Sequence, residues 1–265
     1  MNRKIIAFGT DLHVKSTMGL CPPNMLLDDG QAVKLSPFQI ELWRGWDAAW
    51  FYARTFAGVD ELIPILGGDL AELDAKERSS QLISRNPNTV LSYVSEALVP
   101  ALQGAKRAFF IRGTEAHVGK SAWMDEHIAA DCTIAVPYSK KVYSHWQLKL
   151  NVDGFRLFVS HHPPSMTNPV NAAKKIRDMY YSWGEEPPDL ALFGHVHQVF
   201  DSGLTIKPRI LTAPGFTGSN AFIKRIGIYD KPQIGIVLLE IINGKLHGEP
   251  QVYRIPIKNE KEIKL

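Results

Sequence analysis

The chain has 265 residues, 45% of them hydrophobic, and its 30 basic and 27 acidic side chains leave a formal charge of only +3. That suits one large domain spanning 1–265 with a sizeable core, and it excludes a global polycation that would bind nucleic acid or an anionic membrane by charge alone. Cys21 and Cys132 lack Cys-x-x-Cys spacing, which excludes a disulfide framework or zinc ribbon and leaves two free thiols. No run approaches the ~18 apolar residues of a membrane span, and the basic start is too short for a signal peptide. The expectation is a soluble, cytosolic protein with no membrane partner.

Residues 4–8 read as a buried strand that breaks at Gly9-Thr10 and delivers Asp11 and His13. Two apart, a carboxylate and an imidazole share a face suited to a divalent metal. Residues 14–35 lack periodicity and hold Pro22-Pro23 and Asp28-Asp29-Gly30, which reads as a long loop. A loop of that length directly after the first ligand types is expected to act as a lid. Ser36-Pro37 is a helix start, and Leu42, Trp46, Ala49, Trp50, Ala53 and Phe56 recur at helical spacing to Gly58. Core packing is the preferred role of that aromatic face, over a base-stacking platform of Trp43, Trp46 and Trp50. A strand over 61–66 stops at Gly67-Gly68-Asp69, and Glu72 and Asp74 are taken as part of a solvated charge run to Arg78. Asn88 is expected to cap a helix to about Leu102. A strand over 107–111 follows, ending in Arg112-Gly113-Thr114-Glu115-Ala116-His117, and then a helix over 120–132.

In the second half, runs at 146–152 and 155–159 flank Asp153-Gly154, a hairpin signal. The returning strand ends in Ser160-His161-His162. A helix over 171–183 carries Lys174, Lys175 and Arg177, and strands are expected at 190–193, 209–212 and 234–242. The 190–193 strand runs into Gly194-His195-Val196-His197. If the segment stays extended, His195 and His197 point the same way and converge on one place. The tail at 258–265 is charged and expected to fray.

Five strands thus end in His, Asp or Glu. The ordered set Asp11-x-His13, Gly68-Asp69, the Gly113 turn, His162 and Gly194-His195-Val196-His197 resembles the calcineurin-like metallophosphoesterase superfamily over residues 5 to about 215. The long segment 16–46 is similar to a phage or prophage-encoded branch. The resemblance implies an α/β fold, a four-layer α-β-β-α sandwich of two mixed sheets flanked by helices. It also implies a dinuclear centre, with Asp11, His13 and His197 on one ion, His162 and His195 on the other, and Asp69 bridging. Such an ion pair lowers the pKa of a shared water for in-line attack on phosphorus and clamps the phosphoryl oxygens. These ligands suit Mn, Fe, Zn, Ni, Co or Mg, manganese being the favoured choice.

Two departures from that pattern matter. The superfamily's third motif usually reads Gly-Asn-His and an acid, whereas this chain has Gly113-Thr114-Glu115-Ala116-His117. The preferred reading makes Glu115 a metal ligand and His117 the general acid. A competing register places Thr114 at the metal and His117 outside. Second, Val14 follows His13, and Ala71-Glu72 follow Leu70, where the protein phosphatases carry glycine and arginine. A phosphodiester substrate, nucleic acid or nucleotide, is therefore expected, with Arg112, His161, Lys224 and Arg225 as phosphate contacts. The alternatives are a phosphomonoesterase or an inactive binding scaffold of the same fold.

Overall fold

A computed structural model describes residues 2–73, 81–165, 168–218 and 232–256. Lys224, Arg225 and the 258–265 tail lie outside the described residues, as does the charge run from Asp74 to Arg78.

Apolar runs become buried strands wherever they are long enough to be covered on both faces. In the first sheet, β1 (Arg3–Gly9), β2 (Glu61–Leu66), β3 (Phe109–Ile111) and β4 (Ser144–His145) run parallel. In the second, β5 (Gln147–Val152) and β6 (Phe155–Ser160) form the expected hairpin, and β7 (Leu190–Phe193) and β8 (Arg209–Thr212) follow parallel to β6. The chain then returns to the first sheet, where β9 (Gly235–Ile242) lies antiparallel to β1 and is flanked by β10 (Lys245–Leu246) and β11 (Gln251–Arg254). Both sheets are mixed.

One core lies between the sheets, with Ile6, Phe8, Ile63, Ile65 and Val237 facing Leu157, Val159, Leu190 and Leu192. The outer face of the first sheet is covered by three helices, α1 (Pro37–Ala57), α2 (Pro87–Leu102) and α4 (Trp123–Asp131). A short α3 (Glu115–Val118) precedes α4. On the outer face of the second sheet, α5 (Pro169–Ser182) packs through Ala172, Ala173, Ile176 and Tyr180. This is the four-layer α-β-β-α sandwich that the superfamily resemblance implies.

Ser36 caps α1 with a full capping box to Gln39, and Gly58 ends the helix at φ 62°. Trp46 and Trp50 are fully buried, and Phe216 stacks edge-on against Trp46 at 4.6 Å. That aromatic face is core, and side chains of this size contribute about 1.5–3 kcal/mol each on burial. The 120–132 helix starts three residues late, because Ser121 and Ala122 adopt φ of 58° and 52° and break the turn at Lys120–Ala122. Cys21 and Cys132 are free. Among the described residues no helix is long and apolar enough to cross a membrane.

Residues 14–35 divide in two. Val14, Leu20 and Cys21 are core, and Val14 and Ser16 bridge to Ala71 and Leu82. The outer half is held at the start of α2, where the Asp28 carboxylate accepts from Ser84 at 2.8 Å and from Thr89 at 2.5 Å.

Candidate metal centre

The parallel strands β1, β2, β3, β6 and β7 all deliver their following residues to one place. The β1–β2 pairing continues past both strand ends: Asp11 N donates to Gly68 O, His13 N to Asp69 O and Val14 N to Leu70 O, at 3.0–3.1 Å. That continuation sets Asp11, His13 and Asp69 in fixed register. The turns are tight enough to need glycine. A Cβ on Gly113 would sit 2.2 Å from Asp69 N, and one on Gly194 would sit 2.4 Å from the Thr10 hydroxyl. Asp11, His13, Asp69, His195 and His197 all carry positive φ, between 43° and 69°. Non-glycine residues held there are strained, and such strain gathers at functional sites.

Two triplets of donor atoms, each mutually within 4.8 Å, emerge from these turns: Asp11, His13 and His197, and His161, His162 and His195. They meet at a third, Asp11, Asp69 and His161, which is wholly buried. One oxygen of Asp11 has the Nε2 atoms of His197, His161 and His13 at 3.0, 3.8 and 4.0 Å. Its other oxygen accepts from the Thr10 hydroxyl and from His195 N. The imidazoles are oriented through their far nitrogens, as metal-ligating histidines are. His161 Nδ1 donates to Gly67 O at 2.7 Å, turning Nε2 to Asp69 at 3.0 Å. His13 Nδ1 meets Glu72 at 3.0 Å, which turns Nε2 toward Asp11. Carboxylate and imidazole donors grouped this way fit two divalent transition ions.

Electrostatics agree with the geometry. Burial works to raise Asp11, but the charges of His197 and His161 hold it well below the usual carboxylate range. Burial likewise opposes ionisation of Asp69, and its pairing with His161 overcomes this, so Asp69 is lowered. Burial opposes charge on His161, yet Asp69 and Asp11 raise it to about 10. His195 is pushed down to about 4 by burial and by its histidine neighbours, which leaves it neutral and ready to ligate at pH 7.

Four sequence expectations are corrected here. His195 and His197 do not converge. The strand ends at Phe193, and with φ of 69° and 53° the two rings diverge, one to each triplet. His161, expected to contact phosphate, is a buried donor at the junction, while His162 lies at the exposed edge of the second triplet. Glu115 is turned away: it opens α3, and its carboxylate accepts from Ser121 N at 2.8 Å. Thr114 takes the place beside the imidazoles instead, with its hydroxyl 3.3 Å from His162 and 3.4 Å from His195. Arg112 is bound to Ser144 and Glu126 and stacked on Trp146, so its guanidinium serves the scaffold rather than a phosphate.

Glu72 is the residue sequence reasoning missed. It is 7% exposed, and one of its oxygens is shared by His13 Nδ1 at 3.0 Å and His117 Nδ1 at 2.7 Å. The signal was the apolar pair Leu70-Ala71, which carries the chain inward after Asp69 and pairs Ala71 with Val14 before any solvated run begins. Burial opposes charge on His117, but the Glu72 hydrogen bond and the nearby carboxylates raise it to about 9. His117 therefore stands inside the site, its ring 4.5 Å from that of His13. Neither register of the Gly113 turn holds as a whole, since Thr114 and His117 both face the centre. Asp125 was also missed. Fully buried, it accepts from Gly113 N at 2.7 Å and Leu70 N at 3.4 Å, joining the turns that carry Thr114 and Asp69.

No protein-family model and no curated protein matches the sequence. Among solved structures, the chain is similar to the crystal structure of a metallophosphoesterase from Sphaerobacter thermophilus, at 11% identity and TM-score 0.40, over 96% of this chain and 89% of that one. It is also similar to the crystal structure of a phosphatase from Mycoplasma pneumoniae, at 11% identity and TM-score 0.43, over 96% and 94%.

Proposed function

We propose that this protein is a metal-dependent phosphoester hydrolase of the calcineurin-like metallophosphoesterase type, acting on phosphodiesters. The observation that carries the reading is the pair of donor triplets, Asp11/His13/His197 and His161/His162/His195, joined through Asp11, Asp69 and His161 beyond the ends of β1 and β2 in one sheet and β6 and β7 in the other. When bound there, two divalent ions supply an acidified water as nucleophile and positive charge for the phosphoryl oxygens.

The rest is done by the chain. Asp69, grouped with Asp11 and His161 where the two triplets meet, would be the residue shared between the ions. Glu72 holds His117 by Nδ1 and leaves Nε2 to give a proton to the departing alcohol oxygen. With its pKa raised to about 9, His117 carries that proton at neutral pH. The same Glu72 oxygen sets the tautomer of His13. Thr114, beside His162 and His195, offers a hydroxyl to a phosphoryl oxygen. The diester preference is supported by Arg112, whose engagement with Glu126 and Ser144 removes it as a partner for a monoester's second charge, and by the departures from the protein-phosphatase pattern at Val14 and Ala71.

The test is metal-stripped protein reloaded with Mn²⁺ and assayed on bis-p-nitrophenyl phosphate beside p-nitrophenyl phosphate. The expected result is metal-dependent turnover with the diester preferred. Preference for the monoester would refute the diester assignment, and turnover unaffected by EDTA would refute the metal reading.

A further inference from the structure

Between α5 and the outer face of the second sheet lies a cavity of about 120 Å³ that opens beside His162. Its floor is Phe158 from β6, Phe193 from β7, and Ile176 and Met179 from α5. Phe158, Phe193 and Ile176 are buried, and Met179 packs on the same cluster. Gln147, at the start of β5, is exposed at the mouth. His162 belongs to the mouth and also to the donor triplet with His161 and His195. A group leaving the phosphoryl position past His162 therefore meets an apolar hole one side chain away.

We propose that this cavity receives one planar six-membered ring carried by the substrate's ester group. The inference rests on the reading of the centre as a phosphoester site. An apolar cavity of about 150 Å³ holds benzene, and this somewhat smaller one, open on its His162 side, admits at most a single ring and no fused bicycle. The four floor residues carry no charge, so an apolar ring face fits over them, while Lys175, whose ammonium donates to Pro164 O at 3.0 Å, also lines the cavity and leaves room for a polar or anionic ring substituent on that side. The Gln147 amide at the mouth can meet a polar ring substituent without being buried. Pockets of this composition, apolar with a few polar groups at one side, are the usual form of a small-molecule subsite.

The experiment is calorimetric binding of two non-hydrolysable probes, phenylphosphonate and methylphosphonate, to the Mn²⁺-loaded protein. The wild type should bind phenylphosphonate on the order of tenfold more tightly, the ring being removed from water. Met179→Trp, which fills the cavity, should abolish that preference and leave methylphosphonate binding unchanged. Met179→Ala, which enlarges it, should improve 1-naphthylphosphonate relative to phenylphosphonate by on the order of tenfold. This second variant decides the matter if Met179→Trp does not fold, and no gain for the naphthyl probe would then overturn the proposal. Equal affinities in the wild type, or a preference that survives in folded Met179→Trp, would overturn the cavity assignment and leave the metal centre standing. If neither phosphonate binds, the phosphoester reading itself fails and this inference with it.

Discussion

Removing the Glu72 carboxylate perturbs two histidines at once, because one of its oxygens receives His13 Nδ1 at 3.0 Å and His117 Nδ1 at 2.7 Å. Glu72→Ala should leave the fold intact, since the apolar layers around β1 and β2 do not depend on it. Each hydrogen bond to a charged group is worth about 1.5–3 kcal/mol, and deleting the carboxylate also relieves its own desolvation. The net loss for the metal-free protein should be about 2 kcal/mol, or roughly 4–8 °C in melting temperature for a chain of this size. Function should suffer more. An unheld His117 no longer presents Nε2 as an acid, so turnover on a diester with an alkyl leaving group should fall on the order of 10² to 10⁴. On bis-p-nitrophenyl phosphate the loss should be smaller, because p-nitrophenolate needs little protonation. An unheld His13 should weaken metal affinity on the order of 10- to 100-fold. The assay is a rate comparison across leaving groups at saturating metal, with metal content measured in parallel. A loss equal for good and poor leaving groups, at unchanged metal content, would refute the shared-clamp role of Glu72.

Four further outcomes follow from the site. His117→Ala should retain the wild-type metal content while losing on the order of 10² to 10⁴ in turnover on a poor leaving group, and a near wild-type rate there would remove it from the mechanism. Glu115→Gln should leave metal content unchanged, because that carboxylate is occupied by Ser121 N; loss of one equivalent of metal by elemental analysis would restore it as a ligand. In the metal-free protein His161 is raised from 6.5 to about 10, so the stability its proton confers is complete below pH 6.5 and lost as pH rises through 10. A metal must displace that proton, so affinity should climb with pH toward 10. Calorimetry at pH 7.5 in buffers of different ionisation heat should show about one proton released from this group, and no buffer dependence would contradict it. Finally, Arg112→Ala should lower the melting temperature without raising KM for a diester, since its partners are Ser144, Glu126 and Trp146, and a KM effect alone would return it to the substrate.

Much of this was legible in the chain because β1 and β2 are apolar runs that break at glycine just before Asp11 and Asp69. β2 and β8 fall where the sequence places them, and α1 is bounded by a proline-led cap and a glycine stop. The two-residue β4 and the polar β11 were not, since segments that short or that exposed have no periodicity of their own and exist only through their pairing partners. At the site, residue types could be read but orientations could not. The period-2 rule that aligned His195 with His197 applies to a strand, and their positive φ values lie beyond its end. Glu115 and Thr114 exchange expected roles because α3 begins between them, with Thr114 O accepting from His117 N and Val118 N at 2.9 and 3.0 Å. Glu72 looked like solvated charge because linear patterning cannot show that Val14 pairs with Ala71 across 56 residues of intervening chain.

The central claim is a pair of metal ions joined through Asp69, and electron paramagnetic resonance of metal-stripped protein titrated with Mn²⁺ tests it most directly. Two equivalents should bind and give the spectrum of an exchange-coupled pair, with turnover of bis-p-nitrophenyl phosphate appearing alongside it. Asp69→Asn should lose the coupling and the turnover together. A spectrum of one isolated Mn²⁺ at saturation, or coupling that survives in Asp69→Asn, would contradict the account.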